Sequence, residues 1–157
     1  MVDSVEFQDR TWPLVYVRFP REFTPSTMTA TIEGFERVYG RRERFVVLAD
    51  GTHIVKFPGP VERKMLSEWT SRPARREKEM LYTIGTAIVL TSGPMRAMMS
   101  AITWVSPPAT VQVWKATTQE AIEWCSERLV EAKIPVTEAI EAARAEHRRP
   151  KVASQAR

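Results

Sequence analysis

One cysteine, two histidines and six glycines among 157 residues remove several classes of chemistry at the outset. A lone Cys125 cannot form an intramolecular disulfide, and a metal cluster on His53 or His147 would need ligands that the sequence does not group with them. Such cysteine usage fits a reducing, intracellular compartment. There is no Gly-rich phosphate loop, and neither H-E-x-x-H nor Cys-x-x-Cys occurs. No apolar run approaches the roughly 18 residues of a membrane span. The opening MVDSVEFQDR is acidic and lacks the apolar segment of a signal peptide. The expectation is a soluble, cytoplasmic protein with no metal and no cofactor.

An excess of one charge is also missing from most of the chain. The net charge is +4, but Arg148, Arg149, Lys151 and Arg157 follow the last acid, leaving 19 bases against 19 acids in residues 1 to 147. Nucleic acid is therefore not an indicated partner, since phosphate recognition needs a basic surface. Residues 148–157, with Pro150, Ser154 and Gln155, read as a basic, flexible tail. Residues 1–147 read as a single domain, because 43% hydrophobic residues suffice for one core.

What is present is a regular alternation of elements. SVEFQDR and LVYVRF are two strand-like runs on either side of Thr11-Trp12-Pro13. A helix opens at Thr24-Pro25, with Met28, Ile32, Phe35 and Tyr39 as its apolar stripe and Gly40 as its stop. FVVL at 45–48 shows no alternation, the pattern of a strand covered on both faces. Pro60 starts a helix that turns Met65, Leu66 and Trp69 inward, and Pro73 breaks it before a separate helical piece over 74–83. Gly85 leads into the strand TAIVLT, and Ser92-Gly93-Pro94 opens an apolar helix that ends before Pro107-Pro108. VQVW is the last strand. Thr117-Thr118-Gln119-Glu120 caps the next helix, and Thr137 caps a final one reaching about His147. This order predicts an α/β fold: one layered domain with a mostly parallel sheet of about five strands, an antiparallel edge strand, and helices packed on it.

The strand FVVLAD, the strand TAIVLTS running straight into a helix, and the closing VQVWKATTQEAIEWCSERL together resemble the SpoIIAA-like, or STAS, superfamily of bacterial-type anti-sigma-factor antagonists, over residues 5 to 132. The resemblance implies a non-catalytic regulatory module that binds another protein or, in some relatives, a small apolar ligand. In phosphoregulated members a serine lies in an Asp-Ser-Ser-Gly-type turn at a helix N-terminus, where backbone N–H groups favour phosphate. Here the place reads Asp50-Gly51-Thr52-His53, and the following helix starts only near Pro60. Asp50, Thr52 and His53 form a candidate regulatory loop. Against that stands the plainer reading, in which Asp50 and Gly51 turn the chain, Thr52 caps or faces water, and His53 is solvated.

Catalysis finds little footing in the remaining residues, and no enzymatic role is expected. Ser92 sits in Thr-Ser-Gly-Pro, not in a Gly-x-Ser-x-Gly elbow, and is more simply a helix cap. Cys125 lies on an apolar helix face with no histidine nearby in sequence. Arg72, Arg75, Arg76 and Lys78 alternate with Glu77 and Glu79, the pattern of a solvated helix face.

The fullest clue is Met95, Met98, Met99, Ile102 and Trp104. At helical spacing the stripe is first a core face, yet Ala97, Ala101 and Val105 add apolar surface beside it. One reading makes these residues a contact surface for another protein or for a second copy of the chain. The other places a small apolar ligand between helices and sheet, lined by Met65, Trp69, Met98 and Trp104. No sequence feature separates them.

Overall fold

The structure is a computed structural model that describes residues 3–105 and 107–148, without the side chains of Ile102, Trp104 and Val105. The expected basic tail lies outside the described residues beyond Arg148. Eleven elements follow in order: β1 (Glu6–Gln8), β2 (Leu14–Arg18), α1 (Pro25–Tyr39), β3 (Phe45–Asp50), α2 (Pro60–Thr70), α3 (Pro73–Tyr82), β4 (Thr83–Val89), α4 (Gly93–Val105), β5 (Gln112–Lys115), α5 (Thr118–Glu131) and α6 (Glu138–Arg148). The sheet order is β1-β2-β3-β4-β5, with β1 antiparallel to β2 and the other neighbours parallel.

Strand order that follows chain order has a direct consequence. Right-handed crossovers that all step the same way put their helices on one face of the sheet. That face is formed by Val15, Val17, Val47, Ala49 and Ile88, and meets Met28 and Tyr39 of α1, Trp69 of α2, Tyr82 of α3, and Met95 and Met99 of α4. The opposite face, Leu14, Val46, Leu48, Ala87 and Val89, meets Ala121, Ile122, Cys125 and Leu129 of α5 and Ile140 of α6. All six residues of β3 are buried, as its unalternating sequence predicts.

Local chemistry sets most boundaries where the sequence places them. Thr24 and Thr27 form a reciprocal cap, with Thr27 N donating to Thr24 Oγ1 (3.2 Å) and Thr24 N to Thr27 Oγ1 (2.8 Å). Ser92 Oγ accepts from Met95 N at 3.2 Å, and Thr117 Oγ1 from Glu120 N at 3.2 Å.

Gly40 caps α1 where expected, in ordinary right-handed conformation, and the chain turns at Arg42, whose φ is 55°. One boundary differs from expectation. Gly85 does not precede β4 but lies within it. A Cβ there would stand 2.7 Å from Trp124 Cη2, so the glycine lets α5 approach the strand closely.

Candidate functional site

Because α2 and α4 each follow the carboxyl end of a strand and run back along the sheet, they lie on the same face with β3 and β4 beneath them. They do not close on each other. Between them is a cleft of about 600 Å3, within the size range of small-molecule sites. Val47, Ala49, Thr86 and Ile88 make its floor, and Phe19, Phe35, Leu66 and Trp69 make one side. Met98, Met99 and Ala101 of α4 make the other. Its lining follows β4 from Thr83 to Ile88, which at the strand rise is roughly 16 Å.

The end nearest Thr83 is polar and tightly organised. Pro73 breaks α2 from α3, and the new helix axis carries Arg75 and Glu79 inward at i, i+4 spacing. Their side chains pair and are only 14% and 8% exposed. The Arg75 guanidinium lies 4.4 Å from the Trp69 ring centroid, and Thr110 Oγ1 donates to Glu79 Oε1 at 3.4 Å. Arg75 Nε is buried without a partner among the described residues. This corrects the expectation of a solvated helix face for these two residues: the kink at Pro73 turns that face onto the sheet.

Trp69 is held from behind. Its indole Nε1 donates to Glu36 Oε1 at 2.8 Å, and Lys78 Nζ donates to Glu36 Oε2 at 3.0 Å. Partial burial alone would raise the Glu36 carboxyl, but the Trp69 and Lys78 hydrogen bonds outweigh it and hold the group below its ordinary value. Burial raises the Tyr39 phenol, whose oxygen accepts from Thr83 Oγ1 at 3.5 Å.

Thr86 and Gln112 are register partners on β4 and β5, and both line the cleft. Neither side chain has a hydrogen-bond partner among the described residues, and both are half-buried. Arg63, Lys64 and Ser67, all exposed, form the outer rim on α2.

The methionine stripe divides. Met95 and Met99 pack toward the core, Met98 and Met99 line the cleft, and Met98 is 38% exposed. Ala97 and Ala101 are exposed, so among its described side chains α4 leaves apolar surface uncovered beside the stripe. The side chains of Ile102 and Trp104 lie outside the described residues. Of the sequence-expected lining, Trp69 and Met98 face the cleft, whereas Met65 packs into the core beside it.

The loop after β3 is placed elsewhere. Asp50 is buried and accepts from the Tyr16 hydroxyl, from Thr52 N at 2.9 Å and from Thr52 Oγ1 at 2.6 Å. Burial, then the hydrogen bond to Asp50, pushes the Tyr16 phenol well above its ordinary value. Gly51 N donates to Val89 O at 2.9 Å, and a Cβ on Gly51 would lie 2.6 Å from Leu90. Thr52 and His53 are exposed. Tyr16 packs on the α5 face, opposite the cleft, and none of Asp50, Thr52 and His53 lines the cleft.

Cys125 is fully buried, with its thiol raised by burial and Sγ 3.7 Å from Val47 O. A neutral thiol in that setting is a packing group. Among the described residues no group of three or more His, Cys, Asp or Glu side chains is placed to hold a metal ion, and no helix is long and apolar enough to cross a membrane.

No protein-family model and no curated protein matches the chain. Four cleft residues, Arg75, Glu79, Thr86 and Gln112, carry no site signal in the sequence. The i, i+4 spacing of Arg75 and Glu79 is visible in the sequence, but their burial depends on the direction of α3.

Proposed function

We propose that the protein is a non-catalytic binder of a small apolar ligand, a carrier or sensor, with the ligand lying between α2 and α4 on the sheet. The cleft of about 600 Å3 carries this reading, because its floor and both sides are mainly apolar. A ligand there would cover Met98 and Ala101, which otherwise expose apolar surface. The direct test is native mass spectrometry of protein isolated gently from its own cells, with organic extraction of the same sample. The expected result is a non-covalent adduct that is lost in Ala101→Trp, which fills space at an exposed lining position, while the thermal transition is kept. A wild-type sample with neither adduct nor extractable compound overturns the reading.

A second reading follows from the resemblance to SpoIIAA-like proteins: α4 as a contact surface for a regulatory protein partner or a second copy. The exposed Met98, Ala97 and Ala101 favour it. Under it, Met98→Asp abolishes partner capture or self-association in size-exclusion chromatography without unfolding the chain. Association unchanged by the charge removes this surface from consideration.

A further inference from the structure

The two inner charges of the cleft cancel, while two polar side chains on its floor have no hydrogen-bond partner among the described residues. Arg75 pairs with Glu79 through Nη1, its Nε is sealed from solvent without a partner among the described residues, and both side chains are largely withdrawn from solvent. A carboxylate brought to that end would be a second buried anion beside Glu79, with no further buried cation on the cleft lining to offset it. The remaining lining cations, Arg63 and Lys64, are exposed at the rim, where water and salt screen them.

Thr86 and Gln112 are a different matter. A hydroxyl can donate and accept, and a primary amide offers one acceptor and two donors. Standing as neighbours in register and directed into the cleft, they present an uncharged hydrogen-bonding pair beside the Arg75–Glu79 end. A purely hydrocarbon ligand laid over them would strip both of water and return no bond, a recurring cost of buried polar groups.

Resting on the reading of the cleft as a ligand site, we propose that the ligand is an elongated apolar molecule with an uncharged hydrogen-bonding end, an alcohol, ketone or amide, which Thr86 and Gln112 receive. Its apolar length runs along Val47, Ala49 and Ile88 toward Phe19 and Met99. The residues that select the end group are thus Thr86 and Gln112, and the Arg75–Glu79 pair excludes an acid by already being neutral as a unit.

The test displaces a neutral apolar fluorophore, N-phenyl-1-naphthylamine, from the full chain with 1-dodecanol and with dodecanoate at neutral pH. Dodecanol is expected to compete at least about tenfold better than dodecanoate, the ratio equivalent to one unpaired buried polar contact or more. Thr86→Val and Gln112→Leu should each weaken dodecanol roughly fivefold relative to the fluorophore measured on the same variant, one ordinary hydrogen bond. Equal or tighter binding of dodecanoate overturns the uncharged end and moves the head group to Arg63 and Lys64. Full dodecanol affinity in both variants overturns the role of the pair. Failure of the fluorophore to bind wild-type protein overturns the cleft itself, an outcome separate from the first two.

Discussion

On one side of the sheet α5 lies directly on β3 and β4, with Ala121, Cys125 and Leu129 all at 0% exposure. On the other side, α2 and α4 flank a cleft of about 600 Å3 over the same two strands. Both faces are built from similar aliphatic strand residues, so the strands do not make the difference. The helices do. Small residues at Ala121 and Cys125, and the missing side chain of Gly85 under Trp124, let α5 close in. Opposite them, α4 reaches the core through Met95 and Met99, and turns Ala97 and Ala101 to solvent. The α5 face is closed over β3 and β4; the other leaves a cleft between α2 and α4.

That contrast can be broken by paired truncations. Leu129→Ala on the closed face should cost about 3 kcal/mol, since it removes a fully covered side chain and leaves a void. Met99→Ala on the open face should cost about 1 kcal/mol, because its side chain already borders empty space and no comparable void is created. Urea unfolding of the two variants measures both, and equal costs would mean that the faces are packed alike. Next in size is Gly85→Ala, expected to lose about 1–3 kcal/mol as α5 is pushed away from β4. An unchanged midpoint would show that Trp124 swings aside freely.

The smallest effect concerns acid. Glu123 ties α6 to α5 by accepting from Arg144 at 2.8 Å and from Arg148 at 2.7 Å. The Arg144 hydrogen bond is the main reason that its carboxyl lies below the ordinary value. A depressed folded value stabilises above the unfolded value, about 4.3, and the contribution fades as pH falls below it. Amide exchange in α6 should therefore speed up relative to α5 in acid, and Glu123→Gln should flatten that pH dependence. A pH response retained in the variant would assign it to another carboxylate.

Much of the fold was legible because its signals are local. Thr24-Pro25, Ser92 and Thr117 cap helices through their own hydroxyls, and the unbroken apolar run of β3 announces a strand covered on both sides. The cleft was legible only in part. Trp69 and Met98 reach it at positions a helical stripe predicts, but Met65 on the same stripe packs into the core instead. Arg75 and Glu79 look like solvent-facing charges until Pro73 redirects α3. Asp50 and Thr52 read as a turn, and their hydrogen bonds make one, yet the Tyr16 hydroxyl that completes the cluster comes from 34 residues away.

The sequence by itself determined the element types and the parallel character of the sheet, because hydrophobic period and caps are properties of short segments. Only the tertiary structure decided which helices close on the sheet and which stand apart. It also set two distant polar residues, Thr86 and Gln112, side by side in a cleft, since strand register and helix spacing follow from the packing of the whole chain.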